Sequence, residues 1–172
     1  MRSHAIEIKR VEKIRLDEFP NLLWLRLHTD EGVIGLGETF FGARAAEAYI
    51  HETAAHTLLG RHPLQIERLQ RDLIPYIGFI GTGAETRGRS AIDLALWDLW
   101  GRVADQPVYQ LLGGLTHDKM RIYNTCAGYR YVRSRPNWSL EDWGTGGEAE
   151  GPYENLEAFL HKADELALGR LE

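Results

Sequence analysis

The chain has 172 residues, 44% of them hydrophobic, and a formal net charge of −5, enough for one ordinary domain, or one domain plus a fragment, with a real core. Lys and Arg are interspersed with Asp and Glu and form no basic block, so neither nucleic acid nor another polyanion is an expected partner. One cysteine, Cys126, excludes an internal disulfide, the N-terminus is charged throughout, and no apolar run approaches a membrane span of about 18 residues; a cytoplasmic protein away from membranes is expected.

In chain order, HAIEIKRVEKIRL alternates at Ile6 and Ile8 and again at Ile14 and Leu16, which predicts a strand with an irregularity between. NLLWLRLHT places Leu23, Leu25 and Leu27 on one face, and TDEG leads through Gly32 into VIGLGET. That is a hairpin between two further strands, so three successive antiparallel strands are expected. From Ala43 to Leu59 the chain is Ala-rich with apolar residues at helical spacing, and Gly60 stands where a left-handed terminator is wanted. HPLQIERLQRDLI predicts a second helix with Pro63 in its first turn. PYIGFIGTGAETRG reads as a glycine-rich connection.

The next stretch, SAIDLALWDLWGR, is helical to about Ala104 but apolar on nearly every side. Ile92, Ala95, Leu96, Leu99, Trp100 and Val103 fill one broad face, and Leu94 and Trp97 add apolar surface opposite. The polar positions shrink to Asp93, with Arg89 one turn earlier, and to Asp98 with Arg102, an i,i+4 pair of about 0.2–0.5 kcal/mol. Such a helix is covered by more than one layer. Segregated strands and helices up to Gly114 predict an α+β domain over residues 1–115. After it, KMRIYNTCAGY reads as a strand and YENLEAFLHKADELAL as a helix. A lone βα unit over residues 116–172 has no sheet to join, so the chain reads as cut.

The run GRSAIDLALWDLWGRVADQPVYQLLGG closely resembles the N-terminal signature of the mandelate racemase and muconate lactonizing enzyme branch of the enolase superfamily. The pattern's small-small-aliphatic-acidic start is Ser90-Ala91-Ile92-Asp93, followed by Ala95-Leu96, Asp98, Gly101-Arg102, Pro107-Val108 and Leu111-Leu112-Gly113. The hairpin TDEGVIGLGET and the HPLQIERL helix start are similar to that family too. Gly88 stands where the family usually has Ala, which loosens one helical position. The resemblance implies an enolase-like N-terminal capping domain, then the first βα unit of an incomplete TIM-type barrel. It further implies a reaction that begins by removing a proton next to a carboxylate, the enediolate being stabilised by Mg²⁺ held on barrel carboxylates. Those ligands and the Lys or His base belong to later barrel strands, so no catalytic or metal residue is carried over and no cofactor is expected on this chain's own residues. Whether the chain is itself an enzyme therefore stays open.

Two loops, RLDEFPNLLW and ETFFGAR, match the places where the family's cap reaches over the barrel mouth. Phe40, Phe41 and Arg44 suit a small carboxylate ligand, with aromatic walls and a guanidinium for bidentate contact; packing of both rings under the cap helix is the competing reading. Tyr129 and Arg130 would lie on a loop at the barrel's active face. HETAAH sets His51 and His56 five apart, about 140° round an ordinary helix, and reads as a solvated face rather than a zinc site. Cys126 reads as a small residue on a strand.

The reading is thus the N-terminal portion of a Mg²⁺-dependent enzyme acting on hydroxy-carboxylates, with dehydration of an acid sugar preferred over racemisation or cycloisomerisation. The alternatives are a noncatalytic piece that associates with a complementary barrel chain, and a freestanding α+β binding module. The exposed apolar helix face predicts association, as a homo-oligomer or otherwise, and no activity for the chain alone.

Overall fold

The computed structural model describes residues 6–74 and 83–121, together with Glu157 and Leu160. Two compact units divide the chain, Met1–Asp118 and Lys119–Glu172. The described architecture belongs almost wholly to the first.

Three strands, β1 (Ile8–Ile14), β2 (Leu22–Thr29) and β3 (Ile34–Phe40), form an antiparallel sheet in the order β1-β2-β3. The alternation in β2 fixes its faces. Leu23, Leu25 and Leu27 are fully buried, each contributing roughly 1.5–3 kcal/mol by leaving water. The expected irregularity in β1 is a register shift between Ile8 and Arg10, and it inverts the strand's phase. Ile14 is therefore paired with Trp24 on the face opposite Leu25, not in phase with Ile8, and Leu16 lies outside the strand and exposed. The β2–β3 turn closes through Gly32 at φ 76°, with the Thr29 N–H donating to the Val33 carbonyl at 3.0 Å.

The Ala-rich segment is helical, but not uniformly so. An α-helix α1 (Ala43–Tyr49) passes through a π-helical turn (Ile50–Ala54) into α2 (Ala55–Leu58), and Gly60 follows at φ 74°. The next helix, α3 (Ile66–Asp72), starts later than its sequence suggests. Pro63 is buried in the preceding turn rather than in the helix's first turn.

The signature helix α4 (Ala84–Ala104) starts earlier than expected, so Ala84–Gly88 belong to it and not to the connection. Asp105, left-handed at φ 50°, ends it, and Pro107 leads into α5 (Val108–Leu111). The first face expected for α4 is the buried one, with Ala91, Ile92, Ala95, Leu96 and Leu99 at or near zero exposure. They share one core with Ile8, the β2 leucines, Ala46, Ile50, Leu58 and Leu69. Trp97 and Trp100 stack at 5.2 Å and pack on its margin. Leu94 and Val103 are 50% and 41% exposed. The strand and helix expected beyond Gly114 fall almost wholly outside the described residues.

What seats α4 on the sheet is the absence of side chains beneath it. A Cβ on Gly37 would fall inside van der Waals contact with the Ala91 carbonyl, and one on Gly35 would do the same to the Ala95 carbonyl while meeting the Leu99 Cβ at 2.8 Å. Glycine inside a strand marks such close approach of another backbone. Gly88 plays the same part toward α1, since a Cβ there would stand 2.5 Å from Tyr49 Cδ1. It is the seat of a buried tyrosine ring, not a loosened turn.

Gly37→Ala is expected to destabilise the chain by about 3 kcal/mol, the upper range for overpacking a core, lowering the melting temperature by roughly 10–20 °C for a domain of this size. Circular dichroism melting checks it; an unchanged midpoint would mean that the helix does not rest on this strand.

Candidate functional site

The carboxyl end of β3 runs into a turn with unusual backbone geometry. Phe41 has φ 57° and Gly42 φ 64°. For a bulky aromatic the left-handed region costs about 1–3 kcal/mol, sustained only where the surroundings impose it. Two backbone contacts do so: the Phe41 N–H donates to the Asn21 carbonyl at 2.9 Å, and the Ala46 N–H donates to the Gly42 carbonyl at 2.9 Å. The first joins the two loops expected to reach toward a ligand.

The rings of Phe40 and Phe41 lie 4.7 Å apart, tilted by 47°. Phe40 is 40% exposed and Phe41 half-buried, and neither belongs to the core cluster. A guanidinium is present, but it is that of Arg87 on α4, whose carbon lies 5.5 Å from the Phe40 centroid and 5.9 Å from that of Phe41. Its Nη1 donates to the Phe40 carbonyl at 2.6 Å. Sequence reasoning passed over Arg87 because it stands 47 residues from the turn, inside a stretch that reads as a connection.

Arg44 lines a separate surface cavity of about 390 Å³ with Lys13, Arg15, Glu47, His51 and Glu52. After the register shift Lys13 lies on the core side of β1 at the sheet edge, and it pairs there with Glu47. Arg15 joins the same carboxylate, Nε to Oε2 at 2.6 Å. Two cations thus share one anion, while Arg44 and Glu52 are exposed. The π-helical turn carries His51, so the 100° per residue assumed for the His51–His56 spacing does not apply there. His51 lines the cavity, and His56 is not among its walls. Tyr129, Arg130 and Cys126 lie outside the described residues.

The acids of the signature helix face different neighbours. Asp98 Oδ2 accepts from Arg102 Nε at 2.8 Å and, at the same distance, from the Leu36 N–H of β3. Asp93 is half-buried, and burial pushes its carboxyl above the usual range. Nearby Glu67 pushes the same way, and Arg89 opposes both. The expected partnership of Asp93 with Arg89 is therefore one of charge at a distance, since no ion pair joins them among the described residues.

The comparisons with known proteins bear on the family and the fold. The model of the mandelate racemase/muconate lactonizing enzyme N-terminal domain matches residues 18–113. The chain belongs to the mandelate racemase/muconate lactonizing enzyme family, and its fold is the enolase-type N-terminal capping domain. It is 39% identical over 127 residues to a D-galactonate dehydratase of Ralstonia nicotianae, covering 73% of this chain and 32% of that one. A solved enolase of the mandelate racemase subgroup from Agrobacterium tumefaciens is 53% identical, with a TM-score of 0.67 over 70% of this chain and 34% of that chain. An enolase from Pantoea ananatis with bound D-gluconate and Mg is 34% identical, with a TM-score of 0.58 over 66% and 28%. The chain spans about a third of the length of the curated relatives it matches. No helix among the described residues is long and apolar enough to cross a membrane.

Asp93→Asn tests the electrostatics of the helix. A carboxyl whose folded pKa is raised penalises the folded state once both forms are ionised, and the penalty fades as pH falls through the folded value toward the unfolded one. The variant is expected to melt higher than the parent at pH 7 and at the same temperature near pH 3. A gain that persists unchanged at low pH would assign the effect to something other than ionisation.

Proposed function

We propose that residues 1–115 form the substrate-capping domain, and residues 116–172 the start of the barrel, of an acid-sugar dehydratase working on small hydroxy-carboxylates. The observation that carries this reading is the Phe40–Phe41 pair, one ring exposed and the other half-buried, beneath a guanidinium, on a chain whose relatives include D-galactonate dehydratases and an enolase with bound D-gluconate and Mg. An acid sugar pairs a carboxylate with a hydroxylated carbon chain. Aromatic walls exclude water around such a ligand, and guanidinium donors fix its anionic oxygens. Arg44, unmatched by an ion pair among the described residues, adds a second cation toward the same class of ligand, and Tyr129 and Arg130 are proposed as further ligand-binding residues.

Dehydration of this kind removes the proton beside the carboxylate and expels the neighbouring hydroxyl as water. Among the described residues, no group of three His, Cys, Asp or Glu side chains could hold a metal. These residues do not fit Mg²⁺, and no step through the ion is assigned to them. Their part is to bind, orient and shield the ligand. Proton abstraction and metal binding fall to other residues of the whole protein.

One observation favours a second reading, in which the chain is a noncatalytic piece that docks on a complementary barrel chain. Leu94, Val103 and Leu112 are exposed on α4 and just beyond α5, and a complementary chain covering any of them would take apolar surface out of water.

Grafting residues 18–113 in place of the matching segment of the Ralstonia dehydratase tests the main reading. The graft is expected to dehydrate at least one of D-galactonate, D-gluconate and galactarate, followed as 2-keto-3-deoxy acid. A graft that melts cooperatively but dehydrates none of them would sink it. The 172-residue chain by itself, with Mg²⁺ and the same acids, is expected to form no product; turnover there would overturn the division of labour.

A further inference from the structure

The turn carrying the aromatic pair is anchored from both sides. From the β1–β2 connection, the Asn21 carbonyl accepts the Phe41 N–H at 2.9 Å. From α4, Arg87 donates to the Phe40 carbonyl at 2.6 Å and lays its guanidinium against both rings. The second anchor also touches the rings themselves. It also springs from the helix that rests on Gly35 and Gly37 without intervening side chains, so its base cannot shift without unseating the core. Arg87 has no acidic partner among the described residues. Its guanidinium is ordered by the turn.

We infer that Arg87 is a positioning residue that sets the pose of the Phe40–Phe41 wall and thereby which acid the cap accepts. The second half rests on the reading that this wall meets substrate; the first half does not. The residue type matters. A planar guanidinium donates along one edge while lying close to aromatic rings, whereas a lysine ammonium has a single charged head to place. The two backbone contacts hold Phe41 left-handed, and the guanidinium adds a hold on the rings that those backbone contacts do not supply.

The test begins with hydrogen exchange on the full 172-residue chain. In Arg87→Met, amides of residues 38–44 are expected to exchange about tenfold faster than in the parent, the loss of one net hydrogen bond with its ring contacts. Amides of β2 and of residues 91–99 are expected to stay as they were. Arg87→Lys is expected to restore part of the protection. Unchanged exchange at residues 38–44, or equal acceleration throughout the chain, would overturn the proposal. In the grafted dehydratase, Arg87→Met is expected to raise KM for the acid sugar about tenfold with kcat within about twofold, the pattern of lost uniform binding. Faster exchange with an unmoved KM would remove the selectivity half. A graft inactive even with Arg87 in place would count against the dehydratase reading, while the exchange experiment still decides the positioning role.

Discussion

Contact between the backbone of α4 and that of β3 is the constraint on which the rest of the domain depends. Gly35 and Gly37 present no side chains, so the Ala91 and Ala95 carbonyls come down onto the strand. Small residues on both surfaces exchange side-chain volume for proximity. That proximity brings Asp98 within 2.8 Å of a strand N–H and Arg87 within 2.6 Å of a strand carbonyl. With larger residues at the contact, the same polar groups would stop short of the strand. Gly88 extends the logic to α1, where Tyr49 lies against the helix and donates from its hydroxyl to the Leu73 carbonyl at 3.2 Å.

The two acids of the signature helix meet this close packing in different ways. A carboxylate on a core helix is costly unless it is bonded. Asp98 is bonded twice. Asp93 is held by no ion pair among the described residues, and burial holds its carboxyl toward the neutral form. At the end of β3 an exposed ring, a half-buried ring and a guanidinium converge.

Local regularities were legible in the residues alone, and long-range ones were not. Leu23, Leu25 and Leu27 declared the core face of β2 because a strand's period is two and one face is covered. Ile92, Ala95, Leu96 and Leu99 did the same for α4 at helical spacing. Misreadings came where geometry departs from ideal periods. A π-helical turn changed the angular spacing of His51 and His56, and glycines near Gly83 hid the start of α4, whereas the irregularity expected in β1 is present as a register shift. The aromatic pair was legible as a candidate, but its guanidinium was sought in the nearby Arg44. Nothing in local sequence shows that a helix residue 47 positions away reaches back to Phe40. The alternating glycines of IGLGET were a usable signal, since a strand that gives up two side chains on one face invites another backbone.

The polar contacts that α4 makes with β3 bear on how this protein meets its neighbours. β3 is a border strand of the three-stranded sheet, and a border strand ordinarily offers unpaired amides and carbonyls as a template for a foreign strand. Here the Leu36 amide is already taken by Asp98 and the Phe40 carbonyl by Arg87. Sheet extension is thereby discouraged at these two points of the border, because a foreign strand would have to displace a charged side chain from each.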